Sequence, residues 1–261
     1  MRLSFAITGK GGVGKTTFSS LIVRQLLANG MKPVLAIDAD PNSCLDAALG
    51  VKATSTVGGA REEVRQEAQA GTVTGISKQE MLQWKISESL VESAGFDFIA
   101  MGRPEGAGCY CYANNILKSI ITQISGQYPY LVLDNEAGLE NLSRRIMQQV
   151  DVLVIVSDAS NAGLQTIVRL LGLADEMGIR YKKLILVLNR LRNGALPART
   201  EEIRLATGAE QVVALPEDAT VAAFSEGCRS MLELPDDNPV VRIIDGLIGS
   251  LSDSDFSHNT F

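Results

Sequence analysis

Histidine is nearly missing from this sequence: the single one, His258, stands in a polar C-terminal stretch. That excludes histidine-dependent hydrolytic triads and His-rich metal sites, because both need imidazoles gathered at one point. Cysteine is scarce as well, with four in 261 residues (Cys44, Cys109, Cys111, Cys228). A small disulfide-held scaffold is excluded, and the thiols are expected to be free or metal-bound in a reducing, cytoplasmic setting. Basic residues are outnumbered 24 to 30, leaving a formal charge of -6. The chain therefore lacks the basic surplus of a phosphate-backbone binder, and nucleic acid is not an expected partner. No apolar run approaches the length of a membrane span, and Met1 to Ile7 is too short and too soon interrupted for a signal peptide, so no membrane is expected. Chemistry here must run on carboxylates, lysines, backbone amides and thiolates.

What is present is a large apolar content, 46%, enough for one α/β domain with a well-buried core. Leu3 to Thr8, Pro33 to Ile37, Phe96 to Met101, Tyr130 to Leu133, Val152 to Val156, Leu184 to Leu188 and Val212 to Leu215 read as strands. Most are continuous Val/Ile/Leu runs, the pattern of strands buried on both faces. Helix-period stretches alternate with them: Phe18, Leu21, Ile22 and Leu26 recur at helical spacing, and Gly30 follows as a C-terminal stop. The predicted fold is a single α/β domain over 1–249, a mostly parallel sheet of about seven strands with helices on both faces. Val51 to Ser93 is predicted to hold two surface helices, Val240 to Leu251 a helix packed on the sheet, and 250–261 a frayed tail.

After the first strand comes Gly9-Lys10-Gly11-Gly12-Val13-Gly14-Lys15-Thr16-Thr17. Gly9, Gly11 and Gly14 satisfy the dinucleotide pattern G-x-G-x-x-G, a weak signal, while Gly9, Gly14, Lys15 and Thr16 satisfy the triphosphate pattern G-x-x-x-x-G-K-[ST]. The second has the sharper chemistry: glycines let consecutive N–H groups converge on phosphate oxygens, Lys15 reaches the terminal phosphates, and the Thr16 hydroxyl ligates Mg²⁺. Lys10 adds a second cation at the phosphates or one directed at a partner molecule. With it the loop resembles that of the deviant P-loop ATPases, the class of division-site and plasmid-partition ATPases and the nitrogenase iron protein. The resemblance implies two subunits sandwiching two ATP molecules, with Lys10 touching the nucleotide of the other subunit.

Two acidic clusters follow strands, Asp38-Ala39-Asp40-Pro41 and Asp134-Asn135-Glu136-Ala137-Gly138. Ligands bind at the carboxyl ends of strands in an open parallel sheet, so both clusters are expected beside the glycine loop. Asp134 is the expected Mg²⁺ aspartate. By the resemblance, Asp40 is the first-switch carboxylate acting on the attacking water, Asp38 its electrostatic neighbour, and Gly138 the second-switch glycine whose N–H senses the γ-phosphate. The same resemblance assigns Asn189, at a later strand end, to the adenine amino group and Pro216 to the base face.

Cys109-Tyr110-Cys111 stands in a glycine-rich loop. Two thiols can chelate a metal, but a closed thiolate site wants four ligands, and a symmetric dimer would supply the pair twice. A chance pair of small residues and a redox pair are the competing readings, and Zn, Cu(I), Fe–S and Ni all suit four thiolates. The set K-G-G-V-G-K-T-T, Asp38 to Leu45, Gly-x-Cys109-Tyr-Cys111 with Asn114-Asn115 after it, and Asp134 to Leu142 resembles the CooC family of nickel-insertion ATPases of carbon monoxide dehydrogenase maturation. It implies an ATP-hydrolysing homodimer holding one Ni²⁺ or Zn²⁺ at Cys109 and Cys111, delivering nickel to apo carbon monoxide dehydrogenase or the related acetyl-CoA synthase. The rival readings are a partition-type switch without metal, a reductase with an inter-subunit [4Fe–4S] cluster, and a metal or cluster scaffold that uses ATP for target release.

Overall fold

The computed structural model describes residues 3–40, 44–70, 77–102, 121–138, 149–192 and 194–253. Among them, one sheet contains β1 (Leu3–Gly9), β2 (Val34–Asp38), β3 (Val91–Glu92), β4 (Phe96–Ala100), β5 (Tyr130–Asp134), β6 (Gln149–Ser157), β7 (Arg180–Leu191) and β8 (Gln211–Pro216). Their spatial order is β3-β4-β2-β5-β1-β6-β7-β8. Every pairing is parallel except that of β3 with β4.

The helices are α1 (Lys15–Ala28), α2 (Leu45–Leu49), α3 (Val57–Gln69), α4 (Lys78–Glu88), α5 (Asn161–Glu176), α6 (Thr200–Thr207), α7 (Ala219–Glu226) and α8 (Pro239–Asp253). Strand alternation divides the core in two. Leu3, Phe5 and Ile7 of β1 face Phe18, Leu21 and Ile22 of α1 and Ile244 and Leu247 of α8. Ala6, with Leu131 and Leu133 of β5, lies in the opposite core with Val57 and Val64 of α3, Ile86 of α4 and Leu164 and Ile167 of α5. Both faces are thus covered, and β1 and β2 are buried at every position, which is why apolar residues dominate both and the polar ones among them, Ser4, Thr8 and Asp38, are hydrogen-bonded.

Helix ends follow local chemistry. Gly30, at φ +70°, closes α1: its N–H reaches Leu27 O at 3.0 Å and that of Met31 reaches Leu26 O at 2.8 Å, a Schellman closure. Ser77 and Glu80 form a reciprocal capping box at the start of α4.

The expected single α/β domain is the observed one, with two differences of detail. The sheet has an eighth strand, β3, two residues long and too short to show any alternation. Val51 to Ser93 carries the two expected helices, α3 and α4, followed by that strand. The helix expected over Val240 to Leu251 is α8, which runs two residues further, through Ser252 and Asp253, into the stretch expected as tail; Leu251, 3% exposed, extends the buried stripe of Ile244, Leu247 and Ile248. Residues 254–261 lie outside the described residues. Among the described residues no helix is long and apolar enough to cross a membrane.

Candidate functional site

The glycine loop joins β1 to α1, so its chain must turn from a buried central strand straight into a helix. Two glycines are sterically required there. A Cβ at Gly9 would lie 2.1 Å from the Val156 carbonyl oxygen of neighbouring β6, and one at Gly14, where φ is +93°, would lie 2.5 Å from Asn189 Nδ2. Gly11 and Gly12 face open space instead. Lys15 is 8% exposed, and its Nζ donates to the Lys10 carbonyl at 3.1 Å, curling the loop around it. Burial pushes this ammonium below its ordinary pKa, against the pull of Asp134, Asp40 and Glu136. The Lys10 side chain is exposed.

Asp38 and Asp134 are register partners on β2 and β5, both buried. Asp134 accepts hydrogen bonds from the hydroxyls of Thr16 and Ser19, the latter at 3.0 Å. Burial, with Asp38 adding to it, nevertheless pushes the Asp134 pKa up to about 7. A buried carboxylate beside a second one, flanked by a threonine hydroxyl and short of positive charge, is a hard oxygen donor set that fits Mg²⁺. Thr16 and Asp134 are the residues that would hold the ion.

The loop carrying Asp40 is held by Asp38 itself: Asp38 Oδ1 accepts from the Asp40 N–H and Oδ2 from the Leu45 N–H, both at 2.9 Å. Asp38 is therefore a brace for the loop that carries Asp40. Its carbonyl also accepts from the Met101 N–H at 2.8 Å. Pro41 lies outside the described residues.

Below the second acidic cluster, the Asn135 N–H and Nδ2 both donate to Ile7 O, at 3.0 and 2.9 Å, and the Thr8 hydroxyl donates to Gly138 O at 2.7 Å. Asn135 Oδ1 is buried with no hydrogen-bond partner among the described residues.

Thr17, Asn189 and Pro216 meet at one cavity of about 340 Å³, whose wall also includes Phe18, Arg190, Glu217 and Val221. Residues drawn from α1 and the ends of β7 and β8 thus converge where a base and sugar fit beside the phosphate loop. Asn189 Nδ2 donates to Val13 O at 2.9 Å, and its Oδ1 accepts from the Arg190 N–H. Arg190, at φ +56°, reaches back to Gly12 O with Nη1 at 3.1 Å.

Thr8, Ser19 and Arg190 were not expected at the site. Ser19 stands three residues after Thr16 on α1, a spacing that shares a helix face and was a usable signal. Thr8 and Arg190 gave none, since their contacts join segments far apart in the chain.

Cys109 and Cys111, with the whole of 103–120, lie outside the described residues. Cys44 is exposed, and partial desolvation of its thiol, with Asp38 and Asp40 nearby, raises its pKa. Among the described residues no three His, Cys, Asp or Glu side chains are grouped to hold a metal.

Known proteins resemble this chain in sequence and in fold. An uncharacterized ATP-binding protein of Methanocaldococcus jannaschii is 37% identical over 255 residues, covering 96% of this chain and 99% of that protein. The carbon monoxide dehydrogenase accessory protein CooC of Rhodospirillum rubrum is 34% identical over 190 residues, 68% of this chain and 71% of that one. Among solved structures, the septum site-determining protein MinD of Pyrococcus horikoshii, complexed with Mg-ADP, matches with a TM-score of 0.67 at 17% identity, covering 97% of this chain and 98% of that one. This last likeness concerns the fold. The model of the AAA_31 family, described as an AAA domain, matches residues 3–185. With its glycine loop, Lys15 and paired strand-end carboxylates in place, this chain belongs to the AAA_31 family of P-loop ATPases.

Proposed function

We propose that this protein is an ATP-dependent metallochaperone that works as a homodimer and delivers nickel to apo carbon monoxide dehydrogenase or the related acetyl-CoA synthase. The observation that carries the reading is the Cys109-x-Cys111 pair in a chain that also carries the glycine loop with Lys15 and Thr16. A single pair leaves a thiolate site half built, and two copies complete it. Similarity to a carbon monoxide dehydrogenase accessory protein supports the same client. Nickel is cargo here, bound softly by thiolates and released when the dimer changes shape.

In this reading Gly9, Gly11, Gly12, Val13, Gly14 and Thr17 cradle the phosphates, and Lys15 takes the charge of the terminal ones. Thr16 and Asp134 hold Mg²⁺, which when bound neutralises charge on the β- and γ-phosphates. Asp40, on the loop that Asp38 braces, orients the attacking water, and Gly138 reads the γ-phosphate. Lys10 acts on the nucleotide of the other subunit. Asn189 and Pro216 hold the adenine. Because Asp38 O bonds the Met101 N–H, first-switch movement is passed to the strand end from which the chain leads toward Cys109 and Cys111.

Anaerobic purification of the wild type and a Cys109→Ala/Cys111→Ala variant, with metal analysis and an absorbance spectrum, tests the proposal. Colourless protein holding nickel or zinc at half stoichiometry, lost in the variant, is expected. Brown protein would assign an iron–sulfur carrier instead, and metal retained by the variant would remove the thiol pair from the site.

A further inference from the structure

The four residues from Asn135 to Gly138 are pinned at both ends to β1. At one end the Asn135 N–H and Nδ2 hold Ile7 O; at the other the Thr8 hydroxyl holds Gly138 O at 2.7 Å. Thr8 is completely buried, and it is the residue covalently joined to Gly9, the first of the phosphate loop. Between the pins, Glu136 and Ala137 are exposed. Gly138 has φ +106°, and a Cβ there would meet nothing within 4 Å among the described residues.

We propose that Thr8 is a positioning residue for γ-phosphate recognition: its hydroxyl ties Gly138 to the root of the phosphate loop and sets the distance from the glycine N–H to the terminal phosphate. The inference rests on reading Gly138 as the second-switch glycine, and deepens it by naming what places that glycine. The physical basis is pre-organisation. A free end of backbone loses conformational entropy when it closes on a ligand, whereas a segment anchored beforehand loses less. ADP has no γ-phosphate and makes no use of Gly138, so the hydroxyl affects ATP and leaves ADP aside. It needs neither charge nor contact with the nucleotide, only a hydroxyl in this one buried position.

Thr8→Val removes the hydroxyl at nearly constant volume, and Thr8→Ser keeps it. Affinities for ADP and for a non-hydrolysable ATP analogue are measured on the full chain with Mg²⁺, alongside Gly138→Ala. The expected result is a loss of about 3- to 10-fold in the preference for the ATP analogue over ADP in Thr8→Val, the range of one hydrogen bond, with Thr8→Ser near wild type. If valine prevents folding, Thr8→Ala replaces it and the same ratio is read. An unchanged ratio in Thr8→Val, or equal losses for both nucleotides with a lowered Tm, overturns the inference and leaves Thr8 a packing residue. Gly138→Ala separates the two claims. If it leaves the ratio intact, the second-switch reading of Gly138 fails; if it lowers the ratio while Thr8→Val does not, the Thr8 inference alone fails.

Discussion

Asp38 and Asp134 stand side by side on β2 and β5, register partners whose carboxylates are both buried at the head of the sheet. Two acids taken out of water next to each other are unfavourable unless a cation joins them. Lys15 and the hydroxyls of Thr16 and Ser19 offset that cost at Asp134 only in part, and the remaining strain is measurable.

Asp134 carries most of that strain, with its pKa raised to about 7 from an ordinary 3.8. Its folded-state value exceeds its unfolded one, so the folded state holds the proton more tightly. Stability of the nucleotide-free protein is consequently lost as pH rises from about 4 through 7 and levels off above, by an amount on the order of a few kcal/mol. Asp134→Asn removes this slope. Thermal melts from pH 5 to 8 should show a higher Tm for the variant at pH 8 and a smaller difference at pH 5, with ATP turnover abolished. A variant less stable than wild type at pH 8 contradicts the assignment.

Lys10 lends only its backbone carbonyl to Lys15, and its side chain is exposed. Lys10→Ala should leave ATP affinity within a few-fold of wild type while lowering turnover by about 10³-fold or more, as loss of a charge supplied in trans does. Steady-state kinetics with a separate binding isotherm decides; equal losses in both quantities count against a trans role.

Gly14→Ala should eliminate nucleotide binding, since its methyl would lie 2.5 Å from Asn189 Nδ2 at a φ of +93°. Pairing it with Asn189→Ala removes the clash and leaves the backbone conformation unfavourable, so binding should return only in part. Full recovery would show that crowding alone required the glycine.

Asn189→Ala on its own removes the bond to Val13 O and one wall of the 340 Å³ cavity. ATP and ADP should weaken together, by about 3- to 10-fold each, with turnover at saturation nearly retained. A loss confined to ATP would move Asn189 from the base to the phosphates.

The glycine loop and the two strand-end carboxylates were legible in the sequence because each is contiguous with a strand: the loop from Gly9 to Thr17, Asp38 and Asp134 stand where strand-end logic puts them. Asn189 and Pro216 were weaker signals taken singly, and the fold brings them to one cavity. Thr8 and Arg190 were illegible because their partners are Gly138, 130 residues away, and Gly12, 178 residues away. Only tertiary approach makes those pairs. Likewise the bracing of the Asp40 loop by Asp38 depends on a turn whose closure no spacing announces. Strand β3 was illegible because two residues carry no period, and the last two residues of α8, Ser252 and Asp253, because neither adds to the apolar stripe that ends at Leu251.

The claim that ATP and metal act on one two-chain unit is tested most directly by equilibrium dialysis of anaerobic protein against nickel, with ADP and with a non-hydrolysable ATP analogue. One nickel per two chains, with an affinity that changes between the two nucleotides and vanishes in Cys109→Ala/Cys111→Ala, is the predicted result. One nickel per chain at an affinity indifferent to nucleotide would contradict it.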